Sequence, residues 1–106
     1  MFYSNGYNIQ MTEGDFGIEL PITMTGPTFS AEDSVKLTIK DAINGNTLLE
    51  KDFSNIQNST INFELTREES EQLPVGSYVY SLDWFQTGHF LCNIIPASAY
   101  KVVEKA

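Results

Sequence analysis

Apolar residues recur at every second position over short runs, with turn residues between the runs, and this pattern constrains the fold more than any other feature. Successive side chains on a strand point to opposite faces, so such a run buries one face and wets the other. Phe16, Ile18, Leu20, Ile22 and Met24 alternate with Gly17, Glu19, Pro21, Thr23 and Thr25, which predicts a half-buried strand over 16–24. Pro21 falls on the outward set. It has no amide hydrogen to give a ladder, so this strand is expected at a sheet edge or with a bulge. Tyr7, Ile9 and Met11 predict a short strand before it, ended by a turn at Gly14 and Asp15.

Further along, Gly26-Pro27 breaks the pattern, and Ser30-Ala31-Glu32-Asp33 has the composition to cap one helical turn. Val35, Leu37 and Ile39 then alternate with Lys36, Thr38 and Lys40 in the clearest strand of the chain. Asn44-Gly45 suits the positive φ values of a type I′ turn and predicts a hairpin back into 47–53. Ile61, Phe63 and Leu65 make another strand. Thr66-Arg67-Glu68-Glu69 carries the spacing of a capping box, which predicts a short helical turn as far as Leu73. After Pro74-Val75-Gly76, the residues Tyr78, Tyr80, Leu82 and Trp84 open a strand. Thr87-Gly88 turns the chain into 90–95, Pro96 interrupts, and 100–103 closes the pattern. The expected fold is all-β: one domain over 1–106, an immunoglobulin-like antiparallel β-sandwich of seven to eight short strands with one or two short helical turns.

Charge narrows the partners. Six Lys and Arg stand against fourteen Asp and Glu, a formal charge of −8, and no basic residue precedes Lys36. Phosphate backbones and anionic membranes are bound chiefly through Lys and Arg, so neither nucleic acid nor membrane is an expected partner. No apolar run approaches the roughly 18 residues of a spanning helix, and the first residues lack the basic and apolar regions of a signal peptide. A single cysteine, Cys92, makes no internal disulfide and is read as a small core residue. The single histidine, His89, lies in a hairpin turn without a nucleophile motif nearby. One Cys and one His do not build a zinc site, and the acidic runs at Glu32-Asp33 and at Glu68, Glu69 and Glu71 match no calcium loop. The expectation is therefore no enzyme, no cofactor and no metal. Tyr78, Tyr80 and Trp84 fit a sugar-stacking platform in composition, but they share a strand face with Leu82 and read as core.

The order of these motifs resembles the small β-sandwich at the N-terminus of phage upper baseplate proteins, and small tail-associated proteins of phages and prophages of Gram-positive bacteria. The resemblance runs through the Gly14-Asp15 turn, the segment from Met24-Thr25-Gly26 to Lys40, the strand at Ile61 leading into Thr66 and Leu73, Gly76-Ser77-Tyr78, and the final Tyr100-Lys101-Val102-Val103. It implies turn-making roles for Gly14 and Gly76 and a packing role for Tyr78. It also implies a non-enzymatic virion or assembly component, formed in the host-cell cytoplasm, that docks to copies of itself or to other tail proteins. The resemblance covers the family's sandwich and not its downstream shaft or receptor-binding region, so host-receptor recognition is not among the expectations it implies. The alternative is a bacterial immunoglobulin-like module that binds carbohydrate or protein.

A docking face follows from alternation. If Tyr78, Tyr80, Leu82 and Trp84 fill the core, Val79 and Phe85 face outward, and in the next strand Leu91 and Ile95 oppose Phe90, Cys92 and Ile94. Val79, Phe85, Leu91 and Ile95 are the expected interface. The competing expectation is that residues 2–7 fold over this face.

Overall fold

In the computed structural model, which describes residues 3–24 and 28–105, eight strands and one helical turn form two layers. The strands are β1 (Tyr3–Asn5), β2 (Asn8–Thr12), β3 (Leu20–Thr23), β4 (Asp33–Lys40), β5 (Thr47–Ser54), β6 (Thr60–Phe63), β7 (Gly76–Gln86) and β8 (His89–Val103); α1 is Arg67–Glu71. Six strands in the order β1-β2-β8-β7-β4-β5 make the large sheet, and β3 with β6 makes the small one. The protein is an all-β sandwich. Among the described residues the departure from antiparallel pairing is β2 against β8, where Ile9 to Thr12 run parallel beside Tyr100 to Val103.

The core lies between the layers. Val35, Leu37 and Ile39 of β4 stand opposite Trp84, Leu82 and Tyr80 of β7, so one face of the large sheet is apolar. Leu20, Ile22 and Met24 on one side and Ile61, Phe63 and Leu65 on the other supply the facing layer, and all are buried. Phe63 meets Tyr100 edge-on with centroids 6.2 Å apart, and Tyr100 meets Tyr80 in the same way at 6.3 Å. Burial raises the Tyr80 phenol to about 12, with Tyr7 adding to the shift, and pushes Tyr100 higher still. The Tyr80 hydroxyl donates to the Tyr7 carbonyl, and that of Tyr100 donates to Met11 Sδ at 3.2 Å.

The capping box is present as expected. Thr66 Oγ1 accepts from the Glu69 amide at 3.2 Å, and Glu69 Oε1 accepts from the Thr66 amide at 2.8 Å. Lys51, on the inward side of the edge strand β5, reaches across to Glu69 Oε1 at 2.9 Å and to the Glu64 carbonyl, which ties the two layers together. Desolvation alone raises the Glu69 carboxyl; the Thr66 amide and the Lys51 ammonium outweigh it and hold the group below its ordinary value. A depressed folded value gives stability that is present above the unfolded carboxyl range of about 4.3 and lost as pH falls through the folded value. Thermal melts should accordingly separate the native chain from Glu69→Gln near neutrality, and the gap should close by about pH 3. A gap that persists in acid contradicts the ionic contribution.

Several expectations change. The strand predicted over 16–24 is only β3, because Gly17 takes a φ of +73° and its amide turns to the Leu65 carbonyl, which leaves Phe16 and Ile18 half-exposed. Ser30 and Asp33 close a turn, with the Ser30 amide donating to Asp33 Oδ2 at 2.7 Å, and the chain enters β4 without a helix. Gly14 makes the expected turn at φ +85°, where the Thr12 amide donates to Asp15 Oδ2. Gly76 does not make a turn: it is the first residue of β7, opposite Val102, with no positive φ. Tyr78 is half-buried against the core, and its hydroxyl donates to the Pro74 carbonyl at 2.5 Å. The break expected at Gly26-Pro27 lies outside the described residues.

The hairpin of β4 and β5 forms as predicted, yet Asn44-Gly45 is not a type I′ turn, since neither residue has a positive φ. The loop over 41–46 is organised by Asp41 instead: its Oδ1 accepts from the Asn46 amide at 2.8 Å, and the Gly45 amide donates to the Ala42 carbonyl at 3.0 Å. Glycine is needed for space, because a Cβ at position 45 would lie 1.8 Å from Asp41 Oδ1 and 2.9 Å from the Ala42 nitrogen. Gly45→Ala should therefore lower stability by about 1 kcal/mol, the size of one lost hydrogen bond, as read from the shift in the denaturation midpoint. An unchanged midpoint would mean that the loop rearranges without cost.

Candidate functional site

The feature that stands out from the sandwich is the distal end of the hairpin of β7 and β8. Thr87 at φ +49° and Gly88 at +79° form the two-residue turn, between the paired Gln86 and His89, so this is where the type I′ geometry occurs. His89 is exposed beside it. β2 pairs with β8 only at residues 100–103, so among the described residues no strand lies on that side of residues 89–98. A row of main-chain groups there is left without a ladder.

Three irregularities in β8 decide which side chains surround this edge. Tyr80 opposes Ser98 and Leu82 opposes Ile95, so Pro96 and Ala97 together face the single Ser81. Asp83 then opposes Asn93, leaving Ile94 as an extra residue, and Phe85 opposes Phe90, leaving Leu91 as another. Each such bulge inverts the alternation beyond it. Ile95, expected on the outer face, is instead core: it shares a face with Leu82 and is 1% exposed. Phe90, expected with Cys92 and Ile94, lies outward with Phe85, the two rings meeting edge-on at 5.8 Å. Pro96 does not split the strand, because it falls in the bulge opposite Ser81, where the ladder with β7 is interrupted, and beyond the reach of β2.

The outer face of the large sheet divides by charge. On the β5 side Lys36 bridges to Glu50 at 3.2 Å and stands 5.3 Å from the centroid of the Phe85 ring. On the β8 side, residues 84–100 contain no Asp, Glu, Lys or Arg, in a chain with fourteen acidic and six basic residues. Phe90 is 59% exposed and Leu91 46%. Val79 and Phe85 are half-buried on this outer face, opposite Ala99 and Phe90 respectively. Cys92, read as core, is exposed, because it lies opposite Trp84 at the margin of the core. Trp84 is itself half-buried, 5.0 Å from Phe29. Of the expected interface residues, Phe85 and Leu91 lie at the hairpin end together with Phe90, Val79 lies six positions back along β7 beside Ala99, and Ile95 is in the core.

Residues 3–7 do not fold over this face. β1 extends the edge of the large sheet beside β2, and Phe2 lies outside the described residues. Phe90 was hidden from alternation by the bulge at Leu91. The visible trace of the irregular stretch is Asn93, a polar residue inside an apolar run, whose Nδ2 donates to Asp83 Oδ1 at 2.9 Å and also approaches the Ile95 and Leu82 carbonyls.

Among the described residues, no three His, Cys, Asp or Glu side chains are grouped to hold a metal ion, and no helix is long and apolar enough to cross a membrane. No protein-family profile, curated protein or solved structure matches the chain.

Proposed function

We propose that this protein is a non-enzymatic docking module, a phage or prophage tail-associated virion component, which uses the end of its long hairpin to join a second copy of itself. The carrying observation is an unladdered stretch of β8, exposed at Phe90 and Leu91 and without charge over residues 84–100. Exposed edges of this kind recruit another strand unless charge, proline, a bulge or a covering segment blunts them. Pro96 guards the far part of this edge; residues 89–95 carry neither charge nor proline, and the extra residues Leu91 and Ile94 divide them into short paired stretches.

The choice of a second copy rests on electrostatics. Two chains of net charge −8 repel, and the repulsion is least where two uncharged segments meet. Antiparallel pairing of one β8 with its equivalent makes a two-fold contact in which the Phe85 and Phe90 pairs flank the joint. The non-catalytic part of the reading rests on the residues, one His, one Cys and no nucleophile motif, and the groups whose ionisation is displaced serve the fold. Glu69 caps α1, while Tyr78, Tyr80 and Tyr100 are raised by burial in or against the core. Assignment to a phage tail, with assembly in the host-cell cytoplasm, rests on the order of motifs described above.

Sedimentation of the native chain across the micromolar range tests the proposal. The expected result is a dimer that becomes monomeric in Leu91→Glu and Phe90→Glu, with circular dichroism unchanged because both side chains are exposed. A native chain that sediments at 11.9 kDa throughout refutes self-docking. A monomer that instead captures another tail protein through the same residues would move the partner from a second copy to that protein.

A further inference from the structure

A concave feature lies in the loop between β5 and β6. A half-open depression of about 580 Å3 lies there, in volume within the range of ligand clefts. Its lining includes the carboxamides Asn55, Gln57, Asn58 and Asn62 and the apolar Phe53 and Ile56, and it holds no charged side chain. Residues 53–63 contain no Asp, Glu, Lys or Arg at all. Among the described residues, those four side-chain amides engage no other group of the protein.

Three non-glycine residues of the loop hold left-handed backbone conformations: Asn55 at φ +52°, Asn58 at +55° and Ser59 at +52°. Such conformations cost energy and persist where the surroundings enforce them. Here the Met24 amide donates to the Ser59 carbonyl at 2.7 Å, the Thr60 amide to the Gln57 carbonyl at 3.1 Å, and Thr60 Oγ1 to the Asn58 carbonyl at 3.0 Å. The loop is therefore pinned to β3, and the carboxamides are carried on a fixed frame. Binding then loses less to loop ordering.

We infer that this cavity binds a neutral, hydroxyl-rich ligand, a saccharide. A carboxamide offers donors and an acceptor side by side, which matches a hydroxyl that both gives and accepts. Half-buried Phe53 and Ile56 supply an apolar surface for the C–H face of a sugar ring. An anionic ligand finds no cation in the cavity and meets a chain of charge −8, and a cationic one finds no carboxylate there. The inference is independent of the docking reading, although both features sit at one end of the sandwich. Ser34 pairs with Ser54 on one side and with Phe85 on the other.

The experiment is an NMR titration of the isotopically labelled chain with trisaccharides of glucose, N-acetylglucosamine and galactose, and with a sulfated trisaccharide. Each is taken to roughly 10 mM, ten times the dissociation constant of a millimolar site. At least one neutral sugar should shift the side-chain amide signals of Asn55, Gln57, Asn58 and Asn62 in a saturating manner. Gln57→Glu and Asn62→Asp, both at exposed positions, should weaken that binding about tenfold, the size of one lost hydrogen bond, with unchanged melting. Leu91→Glu should leave it intact. The inference is overturned if no neutral sugar shifts these signals, if the sulfated sugar binds more tightly than all of them, or if the shifts map to the hairpin.

Discussion

Phe63→Ala should cost about 3–5 kcal/mol, the range for emptying a buried phenylalanine site. Phe63 is fully buried on β6, and its ring meets Tyr100 of the large sheet edge-on, so it is a direct bridge between the two layers. Among the described residues the small sheet has two strands, a ribbon that is marginal in water alone and is held by packing its apolar face on the large sheet, with Phe63 its largest buried side chain. Against a total stability of roughly 5–15 kcal/mol, the loss is a large share. Urea denaturation should show a much lower midpoint, and hydrogen exchange should show β3 and β6 opening first. A loss below about 1 kcal/mol would mean that the layers are not packed through this ring.

Ile95→Ala should cost about 2–4 kcal/mol, because Ile95 is buried at 1% exposure opposite Leu82. Leu91→Ala, four residues away on the same strand, should cost less than about 0.5 kcal/mol in the monomer, as exposed positions do. Uninterrupted alternation puts the two residues on one face and predicts similar costs, so the pair tests the bulges directly. Equal losses for both, measured by chemical denaturation at concentrations where the chain is monomeric, would contradict the observed register.

What was legible in the residues follows from how local each signal is. β4 reads cleanly, since Val35, Leu37 and Ile39 alternate without a break and a neighbour lies on either side. The capping box of Thr66 and Glu69 reads cleanly because its partners are three residues apart. β3 is shorter than its alternation predicts, because Phe16 and Ile18 continue the pattern while Gly17 takes a left-handed backbone conformation that ends the strand. Asn44-Gly45 has the composition of a type I′ turn, but the Asp41 carboxylate organises a wider loop there, and the turn occurs at Thr87-Gly88, where a β-branched residue takes a positive φ. In β8, Pro96 signals a break, yet it falls in the bulge opposite Ser81, beyond the reach of β2, and the strand continues. The bulges that move Ile95 inward and Phe90 outward depend on pairing with β7, which alternation within one strand does not encode. The carboxamide cavity likewise arises from Phe53 and Asn62 meeting across a loop held to β3.

Amide exchange along β8 tests the central claim, that the uncharged hairpin edge joins two copies. Amides within residues 89–95 that do not bond to β7 point to the unladdered side. Main-chain pairing with a second β8 should protect them in concentrated solution, release them on dilution through the dissociation range, and leave them unprotected in Leu91→Glu at every concentration. Fast exchange of these amides at all concentrations, in a chain whose core amides stay protected, would contradict the claim.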